Sequence, residues 1–218
     1  MIHTTPKVSV IIPTYKDWDK LNLCLSALSN QNFPKELFEI IVVNNDPCTE
    51  VPFSVDHIEN LLIIPEEKPG SYSARNRGLQ HARASLIVFT DSDCIPYENW
   101  LRSLFDEYQV AGDDTLIAGD IFVQKIGQGK AGVIEKYDMV LGLPQKRYVS
   151  RGYAVTANLA IPRHVFDSIG LFDDKRFSGG DSEICKRAKQ HGFNLILSEK
   201  AIVKHPARSS WIELATKV

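Results

Sequence analysis

The stretch Val8-Ser9-Val10-Ile11-Ile12-Pro13-Thr14-Tyr15 sets the fold class of this 218-residue chain. Its first five residues form a short β-branched run that Pro13 ends, which predicts a buried strand. A second run of the same kind, at 38–43, ends at Asn44-Asn45-Asp46-Pro47. Three leucines between the two runs recur at helical spacing. The segment therefore predicts two strands joined by an amphipathic crossover helix.

The same alternation continues along the chain. Apolar runs predict strands at 61–64 and 85–90, and helical spacing predicts helices at 73–82 and 100–108. Further elements are expected in the second half, namely strands at 116–123 and 154–161 and helices at 133–141, 163–169 and 181–191. This order predicts an α/β fold with a doubly wound, mostly parallel sheet flanked by helices. In such sheets, ligands bind beyond the carboxyl ends of the strands.

The composition is that of one compact globular domain, with 44% hydrophobic and 24% charged residues. Charge is unevenly divided along the chain. Residues 1–123 carry 9 basic and 18 acidic side chains, a balance of −9, whereas residues 124–218 carry 16 and 9, a balance of +7. A basic second half favours contact with an anionic membrane or acceptor, while charge on a solvated surface is the simpler interpretation.

Cysteine usage and apolar runs bear on the compartment. The four cysteines lie far apart without a Cys-x-x-Cys pair, so we interpret them as reduced cytoplasmic thiols rather than a zinc site or disulfide framework. Residues 1–10 lack the apolar segment of a signal peptide, and no run of about 18 apolar residues occurs. Neither export nor a membrane span is expected.

The triplet Asp91-Ser92-Asp93 is a candidate metal and substrate site. It follows an apolar strand, and strand alternation would place both carboxylates on one side with Ser92 on the other. Mg²⁺ and Mn²⁺ prefer hard oxygen ligands and leave places for substrate phosphates. His205 follows another apolar run and is a candidate third ligand. A solvated turn and a surface histidine are the simpler alternatives.

A second candidate site is the stretch 70–78, which combines Gly70, the start of the helix predicted at 73–82, and the two arginines Arg75 and Arg77. A helix N-terminus with arginines suits phosphate oxygens, while a capped surface helix with solvated arginines is the alternative.

Gly179-Gly180-Asp181 precedes another predicted helix. Glycines let the backbone approach a ligand, so Asp181 is a candidate general base for an acceptor hydroxyl. The alternative is a helix N-cap, a common role for aspartate. Glu183 lies about 200° further round the helix and is not expected to serve the same atom.

These motifs, in this order, resemble family 2 glycosyltransferases of the GT-A fold over nearly the whole chain. The motifs are residues 8–15, Ile41-Val42-Val43-Asn44-Asn45, Ala74-Arg75-Asn76, Asp91-Ser92-Asp93, Gly179-Gly180-Asp181-Ser182-Glu183 and His205. The resemblance implies an inverting, metal-assisted transfer of sugar from a nucleoside diphosphate donor to an acceptor hydroxyl.

The resemblance also implies a role for each matching residue. The expected nucleotide-sugar contacts are Pro13, Thr14, Tyr15, Asn44, Arg75, Asn76, Asp91 and Ser92. Asp93 and His205 would hold Mn²⁺ or Mg²⁺, and Asp181 would be the catalytic base. Two positions depart from the family pattern. Asn44 stands where an aspartate more often accepts the uracil N–H, and Gly180 stands where many members carry a glutamate. An amide oxygen also accepts, so a UDP-sugar remains the expected donor.

The expected organisation is a nucleotide-sugar-binding half at 1–123 and an acceptor-binding half at 124–218 within one domain. The expected acceptor is a glycan or lipid-linked saccharide. A cytoplasmic location with peripheral contact at the inner face of the cell membrane is expected, without a nucleic-acid partner.

Two other functions are less well supported by the sequence. A sugar-1-phosphate nucleotidyltransferase would carry a glycine-rich basic loop after the first strand, where this chain has Pro13-Thr14-Tyr15-Lys16-Asp17. The non-enzymatic alternative is a sugar-nucleotide-binding subunit without catalysis. The candidate catalytic and metal-binding residues are retained, which argues against that alternative.

Overall fold

The computed structural model describes residues 5–55 and 58–215. Residues 1–4, part of the segment that lacks a signal peptide's apolar run, lie outside the described residues. The strands are β1 (Val8–Thr14), β2 (Phe38–Asn44), β3 (Leu61–Pro65), β4 (Leu86–Thr90), β5 (Ile95–Pro96), β6 (Thr115–Gln124), β7 (Asn158–Pro162) and β8 (Asn194–Pro206). The α-helices are α1 (Trp18–Ser29), α2 (Ser71–His81), α3 (Trp100–Ala111), α4 (Val133–Leu141), α5 (Gln145–Val149), α6 (Arg163–Ile169), α7 (Gly180–Gln190) and α8 (Trp211–Ala215). A 3₁₀ turn, Lys35–Leu37, precedes β2.

All eight strands form one sheet in the order β3-β2-β1-β4-β7-β6-β8-β5. The first four are parallel, as predicted. The other half is mixed, because β7 runs antiparallel to both β4 and β6, β8 is parallel to β6, and β5 is antiparallel to β8. Strands β1, β2 and β4 are almost wholly buried, which explains their continuous apolar runs.

Helices cover both faces of the sheet, which confirms the doubly wound arrangement. Val10 and Ile12 of β1 pack into a core with leucines of α1 and α3. Ile11 points to the opposite face and packs with apolar residues of α2, α6 and α7. A Cβ atom on Gly78 of α2 would lie 2.5 Å from Ile11, so glycine lets α2 approach the sheet closely. Alternation along one strand thus builds two cores.

Two strands differ from expectation. The strand predicted at 154–161 begins only at Asn158, because Gln145 bonds both backbone polar groups of Val155 and holds the chain before it in an irregular turn. Strand β8 begins well before the apolar run that precedes His205 and continues through the polar Ser198-Glu199-Lys200. Its pairing with β6 shifts register at Gly119/Asp120, so this polar stretch forms an irregularity within the strand.

The two predicted halves contribute strands to the same sheet, and β6 ends at their expected boundary. All four cysteines are unpaired. Among residues 5–55 and 58–215, no helix combines the length and the apolar character needed to cross a membrane.

Candidate active site

A crevice of about 540 Å³ opens at the carboxyl ends of the parallel strands. Its walls bring together most of the residues that the sequence singled out, although these residues come from distant parts of the chain. The predicted residues that line it are Pro13, Thr14, Tyr15, Arg75, Asp91, Ser92, Asp93, Asp181 and His205. This location agrees with the rule for ligand sites in doubly wound sheets.

The loop after β1 supplies one wall. Thr14 is buried and its hydroxyl has no hydrogen-bond partner in the structure. Tyr15 is 59% exposed, so its ring is accessible to a flat ligand. A buried hydroxyl without a partner costs free energy unless a ligand or water satisfies it. The loop therefore has a polar group and an aromatic face available for binding.

Asp91 and Asp93 reach the crevice from a turn rather than from a strand. Strand β4 ends at Thr90, and the backbone N–H of Cys94 donates to the carbonyl of Asp91 at 3.1 Å. Strand alternation therefore does not extend to this triplet, and Ser92, which was predicted to point away, lines the crevice together with both carboxylates. The turn gathers all three side chains because it reverses the chain at the end of the sheet.

Arg75 is a buried cation at the base of the crevice. Its guanidinium donates to Asp91 Oδ1 at 2.7 Å, and its Nε has no hydrogen-bond partner in the structure. The side chain is 5% exposed, so the solvated-arginine alternative does not apply to it. Arg77 instead bonds the exposed Gln80 on the same helix. The pairing with Asp91 thus leaves the buried Nε–H of Arg75 without a hydrogen-bond partner.

Asp93 and His205 face each other across the crevice. The His205 Nε2 lies 3.6 Å from Asp93 Oδ2. The His205 Nδ1 is 2.8 Å from the carbonyl oxygen of Pro206, which can only accept, so Nδ1 carries the proton. In the neutral ring, Nε2 then presents its lone pair towards Asp93, the arrangement of a histidine held ready for a metal.

The side chains of Asp93 and His205 could hold a divalent cation whose remaining coordination positions are filled by substrate and water. Among the described residues, no three histidine, cysteine or carboxylate side chains come together as a metal-binding group. One carboxylate and one imidazole leave positions for phosphate and water, as is usual for Mg²⁺. Burial raises the pKa of the Asp93 carboxyl, and the nearby His205 opposes that effect.

Asp181 lies at the second position of α7 and is not its N-cap. Gly179 occupies the cap position with a left-handed φ of 76°, which glycine adopts without strain. The Asp181 Oδ1 instead accepts a hydrogen bond from the Thr156 hydroxyl at 3.0 Å. Desolvation raises the pKa of the Asp181 carboxyl, against the lowering effect of Arg75. The carboxylate therefore faces the crevice with raised basicity, as a general base requires.

Glu183 is occupied elsewhere, as the helical geometry predicted. Its two carboxylate oxygens accept hydrogen bonds from Arg187 at 2.9 and 2.8 Å. Only Asp181 of the two acidic side chains lines the crevice.

Two predicted contacts are corrected by the structure. Asn76 does not line the crevice, because its amide bonds the backbone N–H and carbonyl of Phe172 at 3.0 and 2.9 Å. Asn44 is also internal, since its amide bonds the backbone of Asp46 and Thr49. Both amides stabilise loops, because each uses one N–H and its oxygen on backbone partners. The neighbouring Asn45 lines the crevice instead.

Several lining residues had no clear signal in the sequence. They include Tyr72, Thr156 and Arg208. The Thr156 and Tyr72 contacts to α7 join residues that are 25 and 108 or more positions apart. Arg208 is anchored by Asp138, which is buried in α4 and accepts from the Arg208 backbone and guanidinium. No local pattern could have revealed these long-range pairs.

A family model described as glycosyl transferase family 2 matches residues 9–173. The chain belongs to this family. It is 34% identical to the glycosyltransferase AglE of Haloferax volcanii over 214 residues, which cover 95% of this chain and 69% of the relative. It is 25% identical over 217 residues to a Methanococcus voltae dolichyl N-acetyl-α-D-glucosaminyl phosphate 3-β-D-2,3-diacetamido-2,3-dideoxy-β-D-glucuronosyltransferase, covering 93% of this chain and 68% of that protein.

The fold of this family 2 glycosyltransferase also matches solved structures. Crystal structures of S. aureus TarS 1–349 align with it, and the complex with UDP-GlcNAc gives a TM-score of 0.70 at 20% identity. That alignment covers 97% of this chain and 62% of the TarS chain. The similarity confirms the predicted GT-A fold.

Proposed function

We propose that this family 2 glycosyltransferase transfers a sugar from a UDP-linked donor to a hydroxyl of a glycan or lipid-linked saccharide, with inversion. The observation that carries the proposal is the convergence of Tyr15, the Asp93 and His205 pair and Asp181 on one crevice. Tyr15 would bind the nucleotide, and the Asp93 and His205 pair would act on the leaving diphosphate through a cation. Asp181 would act on the attacking hydroxyl.

The donor would lie along the wall formed by the loop after β1. The exposed Tyr15 ring offers a stacking surface for the base, and Thr14 and Arg75 each hold a buried polar atom without a partner. The UDP-GlcNAc complex of the structurally similar TarS supports a uridine nucleotide as the first candidate. Asn45 lines the crevice beside this wall, although its amide, like that of Asn44, already bonds the protein backbone.

Asp93 and His205 are the residues that would hold a divalent cation. When bound, the cation would offset the negative charge that develops on the departing diphosphate. Arg75 would add a fixed positive charge nearby, although its pairing with Asp91 neutralises part of that charge.

Asp181 would take the proton from the acceptor hydroxyl. The acceptor oxygen then forms a bond to the anomeric carbon while the bond from that carbon to the diphosphate oxygen breaks. The Thr156 hydroxyl donates to Oδ1 of Asp181 and so helps to fix the orientation of the carboxylate. Attack from the face opposite the leaving group inverts the anomeric centre.

A lipid-linked acceptor is supported by an apolar face beside the crevice. Val133, Tyr137, Val140 and Leu141 of α4 are exposed and recur at helical spacing. The exposed Lys130 and Lys136 lie next to them in sequence. Apolar and basic side chains together suit an anionic membrane surface. The dolichyl-linked substrate in the name of the M. voltae relative agrees with this choice.

The experiment that tests the proposal is a donor screen with purified protein. UDP-, GDP- and TDP-sugars are offered with Mn²⁺ or Mg²⁺ and a set of glycan and lipid-linked acceptors, and NMR of the product reads its anomeric configuration. We expect transfer from a UDP-sugar with inverted configuration. Retained configuration, or transfer from GDP- or TDP-sugars alone, would contradict the proposal.

A further inference from the structure

A tyrosine hydroxyl from α2 caps the helix that carries Asp181. The Tyr72 hydroxyl oxygen accepts from the backbone N–H of Gly180 at 2.9 Å and from that of Asp181 at 3.3 Å. Helix α7 receives no side-chain cap from its own N-cap residue, Gly179. The first free N–H groups of a helix need a partner when they are buried. Tyr72 supplies that partner from another part of the chain.

The Tyr72 ring is held from several sides. It stacks on Phe172 with ring centroids 5.7 Å apart and planes inclined by 16°. The Arg75 guanidinium lies 5.5 Å from the centroid of the tyrosine ring. Tyr72 itself is only 5% exposed. Because Arg75 also bonds Asp91, one turn of α2 links the donor side of the crevice to the start of α7.

Gly180 has no side chain because the tyrosine occupies that space. A Cβ atom built on Gly180 would lie 2.6 Å from Cζ of Tyr72, closer than real Cβ contacts allow. The space beside Gly180 is thus filled by a ring from α2. The Tyr72 hydroxyl and Gly180 form one packing unit immediately before Asp181.

We propose that Tyr72 is a positioning residue for transfer, which fixes the backbone of Asp181 relative to Arg75 so that the carboxylate meets the acceptor hydroxyl. This inference rests on the proposed role of Asp181 as general base. Two hydrogen bonds to one rigid phenol fix the start of α7, and a misplacement of about 1 Å at a reacting group costs about 10²-fold in rate. Burial and the Asp181 charge raise the pKa of Tyr72 to about 12, so the hydroxyl stays protonated at working pH.

The variant that tests the inference is Tyr72→Phe, which keeps the ring packing and removes the oxygen acceptor. We expect kcat to fall about tenfold or more, while the Kd for UDP measured by calorimetry stays within about twofold. The matched control is Tyr108→Phe, which removes a hydroxyl bonded to Asp113, outside the crevice lining. The control should keep its turnover. Turnover of Tyr72→Phe within twofold of the wild type would overturn the inference.

A double-mutant cycle separates a role through Asp181 from an independent one. If Tyr72 acts through Asp181, then Tyr72→Phe should cause little further loss in an Asp181→Asn background. Losses that multiply would overturn the inference. If Asp181→Asn alone keeps normal turnover, the proposed general base fails. If Asp181→Asn loses turnover and Tyr72→Phe does not, only the positioning role fails.

A second variant, Gly180→Ala, tests the same contact independently and remains informative if Tyr72→Phe fails to fold. Gly180→Ala places a methyl group against the ring and should push the start of α7 away from Tyr72. We expect it to lower kcat with circular dichroism and UDP affinity unchanged. A fully active Gly180→Ala enzyme would count against the inference.

Discussion

The imidazole Nε2 of His205, at the end of β8, lies 3.6 Å from Oδ2 of Asp93, in the turn after β4. The two residues are 112 positions apart in the sequence. The distance exceeds that of a hydrogen bond, and the His205 proton is already used on the Pro206 carbonyl. When the ring is neutral, a lone pair on Nε2 and a carboxylate therefore face the same point, an arrangement that would suit a shared cation.

Removal of either residue of this pair should weaken metal-assisted binding of the nucleotide. Mn²⁺ should tighten UDP binding to the wild type, and Asp93→Ala or His205→Ala should weaken that enhancement by about tenfold or more, a loss that even outer-shell changes at metal sites can cause. Calorimetry of UDP with and without Mn²⁺ measures the effect. Asp106→Ala, which changes an exposed side chain of α3, is the control and should behave as the wild type. Sugar transfer that persists in excess chelator would show that the metal assignment is wrong.

Asp181→Asn should reduce turnover by about 10²-fold or more, the usual contribution of general-base catalysis. The amide keeps an oxygen that accepts from Thr156 but loses the basicity. UDP affinity should stay unchanged, because Asp181 is expected to face the acceptor. Steady-state kinetics and calorimetry measure the two quantities. Near-normal turnover in a correctly folded variant would exclude Asp181 as the base.

The same variant should be more stable than the wild type at neutral pH. Burial raises the pKa of Asp181, so the folded state binds its proton more tightly than the unfolded state. The protonated Asp181 carboxyl therefore adds to the free energy of unfolding in full below its ordinary pKa of about 3.9. This contribution is lost as the pH rises through the raised pKa of the folded state. Melting temperatures across this range should show a gain for Asp181→Asn that shrinks in acid. Asp106→Asn is the exposed control, and a destabilised Asp181→Asn at neutral pH would contradict the expectation.

Tyr15→Ala should weaken UDP binding by about 2- to 12-fold, because an aromatic stack contributes about 0.5–1.5 kcal/mol. The ring is 59% exposed at the crevice, so its removal should leave the fold intact. Tyr97→Ala, another exposed tyrosine outside the crevice lining, is the control. Calorimetry with UDP and GDP measures both affinities. Tighter binding of GDP by about tenfold or more would refute a uridine donor.

Anionic liposomes should sediment the protein at low ionic strength, and salt should weaken the association because basic side chains contribute to it. The double variant Val133→Ser/Val140→Ser removes two exposed apolar side chains of α4 and should reduce the bound fraction. Val110→Ser, which changes an exposed valine on α3, is the matched control. Protein that stays in the supernatant with these vesicles would contradict membrane contact.

The sequence determined the elements and their order because its strongest patterns are local. A buried strand such as β1 needs a continuous apolar run, and Pro13 marks the loop beyond it. Asp91, Asp93 and Asp181 could be singled out because each follows a strand or precedes a helix. Their shared location then followed from the rule that ligands bind at the carboxyl ends of parallel strands.

Only the tertiary structure decided which polar atoms remain available for a ligand. Asn44 and Asn45 are neighbours in sequence and only Asn45 lines the crevice, yet the amides of both bond the protein backbone. Asn76 and Tyr72 share α2, but one bonds the backbone of Phe172 and the other the start of α7. The physical reason is that a side chain's partners are set by packing between segments far apart in the chain, and hydrogen bonds act only over about 3 Å. Local sequence patterns carry no information about such distances.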